Sequence, residues 1–151
     1  YEMLRSLVGS EMCIRDSRMT DTDYSSQRLR LQALAQRFNN AIIHAESNSI
    51  GQPNIEALHE MGLYVQGFLT TNITKAKIIQ GLELAFERGD IEIIDNENMI
   101  NELVAYQSET LPSGTVRYNA PSGMHDDTVM ALAIAWDAVG VPSPASLVSF
   151  V

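Results

Sequence analysis

Gly123-Met124-His125-Asp126-Asp127-Thr128-Val129-Met130-Ala131-Leu132-Ala133 is the stretch whose reading decides the fold. Two adjacent carboxylates stand at the mouth of a helix whose next residues are nearly all apolar. A helix that apolar has to be buried, so its first turn concentrates negative charge at the edge of a core. Ionised carboxylates in such a place call for a partner, and a bound cation is the partner that turns the place into a chemical site. A simpler reading stands beside it. Asp is a favoured N-cap, and acids suit the positive end of a helix dipole. A cap, however, needs only one Asp.

Upstream of that helix (126–139), helical and extended patterns alternate. Ser25–Phe38 carries a helical apolar stripe at Leu29, Leu31, Leu34, Ala35 and Phe38. Ala41–Ala45 is a short buried strand ending at Glu46, Ser47–Gly51 a turn, and Pro53 opens a helix through Met61. Leu63–Leu69 is a second strand. Asn72 is expected to cap a helix from Ile73 to Arg88 that Gly89 ends. Ile91–Ile94 reads as a strand, Glu97–Gln107 as a helix and Thr115–Tyr118 as an extended piece. This order implies an α/β fold with parallel pairing through right-handed crossovers. Ligands of such sheets gather at the carboxyl ends of the strands, where Glu46 stands.

The first seventeen residues are set apart. Leu7-Val8-Gly9-Ser10-Glu11-Met12-Cys13-Ile14-Arg15-Asp16-Ser17 resembles an in-frame translation of the transposon adapter used in shotgun sequencing libraries. On this reading 1–17 is an artefact carrying the only cysteine. The chain proper is then expected to start near Arg18, as the interior of a longer protein, with 18–140 a partial domain and 141–151 a tail or linker. Without 1–17, 8 basic residues face 16 acidic ones, for a net charge of -8. Nucleic-acid-binding domains usually lean basic, so this balance argues weakly against DNA. The argument is weak because metal-chelating carboxylates count as uncompensated charge in such a tally. No stretch approaches the roughly 20 apolar residues of a membrane span. There is no G-x-x-x-x-G-K-[ST] and no serine in a nucleophile-elbow context.

The remaining polar residues have ordinary readings as well as functional ones. Glu46 could be a plain strand-end carboxylate. His44 leaves the same strand face as Glu46 and reads as a core or supporting histidine. His125 could orient a carboxylate, touch a phosphate or simply sit in a turn, and His59 reads as solvated. Lys75, Lys77 and Arg88 decorate one helix, for which a solvated face is the default. Arg117 precedes the acidic pair by a short loop and could contact a nucleic-acid backbone.

Taken in order, Ala45-Glu46-Ser47-Asn48-Ser49-Ile50-Gly51-Gln52-Pro53, Thr70-Thr71-Asn72-Ile73-Thr74-Lys75, Phe86-Glu87-Arg88-Gly89 and Ala120-Pro121-Ser122-Gly123-Met124-His125-Asp126-Asp127-Thr128-Val129-Met130-Ala131 resemble the C-terminal nuclease domain of phage terminase large subunits. The resemblance runs from about Arg18 to Val139. It implies an RNase H-like, three-layer α/β fold whose mixed sheet carries three acids that hold two divalent metals, Mg²⁺ or Mn²⁺. Glu46 matches the second acid. The third falls on the acidic pair, with Asp127 preferred because it directly precedes Thr128-Val129-Met130-Ala131, and Asp126 the alternative or an auxiliary ligand. The first acid has no counterpart, so the N-terminal strands are expected to be missing and the fragment inactive alone. The resemblance also implies an endonuclease that cuts concatemeric double-stranded viral DNA in the host cytoplasm during phage assembly. Its partners would be an N-terminal ATPase domain, the portal and the small terminase subunit, with no membrane. Lys75, Arg117 and His125 are the possible DNA contacts. Two alternatives stay open: a Holliday-junction-resolvase-like nuclease, and a non-catalytic α/β assembly module whose carboxylates only cap. The stretch from Asp95 to Gly123 discriminates the first, since the terminase match continues through Tyr118-Asn119-Ala120-Pro121. Metal-dependent thermal stabilisation discriminates the second.

Overall fold

A computed structural model describes residues 13–14, 23–50, 52–114 and 116–139. These fall into two compact units, one holding the described residues of 23–74 and the other 13–14 with those of 75–139. Of the segment set apart above, only Cys13 and Ile14 are described. They form a two-residue strand, β1, paired in parallel with Glu92 and Ile93 of β4. The rest of 1–17 and the whole of 141–151 lie outside the described residues, as do Gly51 and Thr115.

In the first unit, α1 (Tyr24–Arg37) is capped by Asp23, whose carboxylate accepts from the Ser26 N–H at 3.3 Å. β2 (Ile43–Glu46) and β3 (Val65–Phe68) pair in parallel, with Ala45 opposite Gly67 and Glu46 opposite Phe68. Between them run a single helical turn, α2 (Ser47–Ile50), and α3 (Gln52–Glu60). The segment expected as a turn therefore continues from the strand as helix. Ala35, Ala45, Ile55, Leu58, Leu63 and Val65 form the core, with Leu31, Ile43 and Met61 packed against it. The expected strand and helix are both used: one apolar face of α3 covers the sheet through Ile55 and Leu58.

The second unit takes over in the first turn of α4 (Asn72–Arg88). That helix closes as its sequence dictates. Gly89 adopts φ +70°, and the Gly89 and Asp90 N–H groups reach back to Phe86 (3.1 Å) and Ala85 (2.9 Å). This pattern satisfies the last carbonyls and needs a residue that tolerates the left-handed region. β4 (Glu92–Ile93), α5 (Glu97–Ala105), β5 (Gln107–Thr110), β6 (Val116–Asn119) and α6 (Asp127–Val139) follow. The core gathers Ile78, Ile79, Leu82 and Ala85 of α4, Met99 of α5, and Val129, Met130, Leu132, Ala133 and Ile134 of α6. α6 is thus buried as its composition requires.

β5 and β6 pair antiparallel, with Gln107 opposite Asn119 and Thr110 opposite Val116. The helix expected to run to Gln107 stops at Ala105, and parallel pairing is not the whole of the topology. Gln107-Ser108-Glu109-Thr110 is exposed throughout, so no apolar alternation marks it as a strand. It is held by the ladder to its partner. With parallel β1–β4 and β2–β3 and antiparallel β5–β6, the fold is mixed α/β. Among the described residues no helix is long and apolar enough to cross a membrane.

Candidate metal-binding active site

Glu46 is the last residue of β2 and half-buried. Just beyond it, side chains take over from the backbone ladder. Ser47 Oγ donates to the Phe68 carbonyl at 3.1 Å. Asn48 Nδ2 donates to the Thr70 carbonyl and its Oδ1 accepts from the Thr70 N–H, both at 3.0 Å. The Thr71 hydroxyl then accepts from the Thr74 N–H at 3.1 Å, and the Thr74 hydroxyl from the Thr71 N–H at 2.8 Å. Thr71, not Asn72, therefore stands as the cap of α4. The first two sequence motifs are parts of one hydrogen-bonded junction that fixes the strand end carrying Glu46.

The acidic pair sits in the other unit. Gly123 turns the chain at φ +85°, and the Met124 N–H donates to the Pro121 carbonyl at 3.0 Å. Asp126 occupies the N-cap position of α6, its carbonyl accepting from the Met130 N–H at 2.9 Å. Asp127 is the first helical residue and exposed. The Asp126 carboxylate turns to Lys75, whose ammonium lies 2.8 Å from Oδ2 with both side chains mostly covered. Lys75 also lies 5.8 Å from the centre of the Tyr106 ring, within range of a cation–π attraction. This lysine is thus partnered, whereas Lys77 pairs with Asp137 on the outside of the same helix at 3.1 Å.

The capping bond that a lone N-cap Asp would make comes from elsewhere. Glu102 of α5, 6% exposed, accepts from the Thr128 backbone N–H at 2.8 Å and from the Thr128 hydroxyl. Sequence reading passed over Glu102. The available signal was a charged residue at i+3 from Met99, on the stripe of α5 that faces the core. Of the other expected residues, His125 is exposed beside Asp126. Arg117 is exposed on β6 opposite Glu109. With the Asn119 amide oriented to satisfy its neighbours, its oxygen accepts from Arg117 Nε at 2.6 Å. His44 is half-buried on β2 and His59 exposed on α3.

Tyr106, at the foot of α5, is held neutral. Burial first, then the negative charge of Asp126 and the neighbouring Tyr118, push its phenol well above the ordinary tyrosine value. Among the described residues its buried hydroxyl oxygen has no hydrogen-bond partner. The unfolded chain would ionise this group near about pH 10. The folded state keeps the proton that the unfolded state loses, so the group's contribution is fully present below that pH and is lost as pH rises towards the folded value. In an alkaline titration by tyrosinate absorbance, Tyr106→Phe is expected to remove the latest-ionising component. It should also flatten the decline of melting temperature above about pH 10 and leave stability at neutral pH unchanged or slightly raised. A titration curve whose late component survives the substitution would contradict this assignment.

Carboxylate oxygens at a strand end and at a helix start suit hard divalent cations. Within neither unit do the described residues assemble three or more His, Cys, Asp or Glu side chains into a cluster that could hold a metal ion.

The fold these features build is a mixed α/β one, similar to that of solved RNase H-like nuclease domains. The large terminase nuclease of thermophilic phage G20c superposes with a TM-score of 0.74 at 27% identity over 80% of this chain and 65% of that structure. The same nuclease with bound magnesium gives 0.72 at 27% identity over 79% of this chain and 64% of that structure, and it has also been solved with cobalt and with zinc. In sequence, the chain is 28% identical over 137 residues, 90% of its length, to the terminase large subunit of Thermus virus P23-45. It spans 28% of the length of that relative. No protein-family model matches the chain. The resemblance read from the sequence motifs therefore holds in overall sequence and in fold: this chain is similar to the nuclease domain of the terminase large subunit.

Proposed function

We propose that this chain is part of a divalent-metal-dependent DNA endonuclease, the nuclease domain of a phage DNA-packaging terminase. The observation that carries the reading is the acid-headed helix α6. The Thr128 N–H at its start is taken by Glu102 and the Asp126 carboxylate is held by Lys75. The magnesium bound by a similar nuclease supports the ion class. In this reading Glu46 and Asp127 donate carboxylate oxygens to the ions, and Asp126 is an auxiliary donor steadied by Lys75. Two bound ions about 4 Å apart would supply an activated water and stabilise the leaving oxygen of a phosphodiester. Magnesium fits an all-oxygen donor set, and manganese is expected to substitute. In this reading Arg117 and His125, both exposed, would meet phosphate. Lys75 could do so only in exchange for its pair with Asp126. The substrate is double-stranded viral DNA cut from concatemers in the host cytoplasm, with the ATPase domain, portal and small subunit as partners.

The test is metal-dependent nicking of supercoiled plasmid by the protein expressed with its upstream reading frame. Mg²⁺ or Mn²⁺ should support cutting, EDTA should stop it, and either ion should raise the melting temperature. A protein that melts identically with and without divalent ions and leaves plasmid intact would be an assembly module, and the nuclease reading would fall.

A further inference from the structure

We infer that Glu102 is a positioning residue for the acidic pair. It binds the Thr128 N–H of α6 from another helix, and so ties the helix turn that begins with Asp126 and Asp127 to α5. The inference rests on the nuclease reading above and adds a residue to it.

Every helix N-terminus leaves backbone N–H groups without intrahelical partners. The usual remedy is local: the N-cap side chain bends back to the N–H of the second or third helical residue. Asp126 occupies the N-cap position here, and its own carbonyl accepts the first helical bond, from Met130 at 2.9 Å. Its carboxylate is directed to Lys75 at 2.8 Å. The N–H of Thr128, the second helical residue, donates instead to Glu102 Oε2 at 2.8 Å, and the Thr128 hydroxyl donates to the same oxygen. Glu102 comes from α5, 26 residues earlier, and is 6% exposed, as Thr128 is 5% exposed. A buried carboxylate is tolerated only where it is well hydrogen-bonded, and this one gathers a backbone and a side-chain donor from the residue that follows Asp127. The bond therefore ties the first turn of α6, and the two acids that begin it, to the body of α5. Supports that orient metal-ligating carboxylates commonly change metal affinity by about 10- to 100-fold when removed.

Manganese titration of the full 151-residue chain, followed by paramagnetic broadening of the Asp126 and Asp127 backbone amides, reads the positioning directly. Melting curves of each variant report the fold. Glu102→Ala is expected to weaken Mn²⁺ binding at these amides by roughly 10-fold or more, and Glu102→Gln, which keeps an acceptor oxygen, to restore most of it. The double variant Glu102→Leu/Thr128→Val covers the case in which Glu102→Ala does not fold. Replacing Glu102 and the Thr128 hydroxyl together with apolar groups removes that side-chain pair and abolishes the cap, leaving only the Thr128 N–H without its acceptor. A folded Glu102→Ala or double variant that binds Mn²⁺ as tightly as the parent chain would overturn the positioning role and leave the nuclease reading intact. A parent chain whose Asp126 and Asp127 amides ignore Mn²⁺ would overturn this inference, while the nuclease reading is decided separately by nicking with the upstream-extended protein.

Discussion

Asp127→Ala is expected to abolish divalent-ion-dependent plasmid nicking by the upstream-extended protein while the fold survives. Asp127 is exposed and opens α6, so removing its carboxylate deletes an oxygen donor and disturbs no core. The cost to the helix is small, because losing even a true cap costs about 1 kcal/mol, and here Glu102 supplies the bond to Thr128. Glu46→Ala should behave in the same way, since Glu46 sits at the strand end and outside the cluster of Ala35, Ala45 and Leu58. Asp126→Ala should be milder for cutting. It leaves the Lys75 ammonium without its counter-charge in a mostly covered position, so its effect should fall more on stability. Circular dichroism and nicking, measured together on the three variants, separate these outcomes. Unchanged cutting by both Glu46→Ala and Asp127→Ala would eliminate the metal-centred mechanism.

The largest loss of stability is expected from Leu132→Ala. Leu132 is 2% exposed on α6, beside Val129 at 1% and Ala133 at 0%. Truncating a fully buried leucine removes its transfer free energy and leaves a cavity that the surroundings fill only in part. The expected loss is about 2–5 kcal/mol. Small domains are stable by only about 5–15 kcal/mol, so this is a large fraction of the total. Urea unfolding should show a lower midpoint with an unchanged slope. Val104→Ala, at a position 81% exposed on α5, is the matched control and should stay within about 0.5 kcal/mol. Equal midpoints for the two variants would mean that the apolar face of α6 is not a core element.

Much of this architecture was legible because local signals and burial agree. The apolar run after Asp127 and the Gly89 stop of α4 each found the element they imply, and Glu46 fell at the end of a parallel strand. The sequence motifs also placed the resemblance correctly. What escaped was set by distant partners. β5 is a strand only because β6 lies beside it, and the residues of β5 show no alternation to read. The turn expected at Ser47 became helix, with Ser47 and Asn48 tied across to Phe68 and Thr70. The cap of α6 comes from a glutamate 26 residues away, a relation that no local pattern encodes. The same holds for Lys75, whose partner Asp126 is 51 residues distant.

The β5–β6 hairpin has a bearing on how such a protein diversifies. Its side chains are exposed along the whole of β5 and half of β6, and a backbone ladder does not depend on which side chains it carries. Gln80 Nε2 donates to the Tyr118 hydroxyl at 3.2 Å and joins the hairpin to α4. Sequence can therefore drift here under little pressure from folding, while the buried faces of α4 and α6 tolerate almost none. Arg117, which we propose meets the DNA backbone, sits on this permissive ribbon. Related lineages could exchange the polar chemistry of 107–119, and with it their grip on DNA, without renegotiating the core.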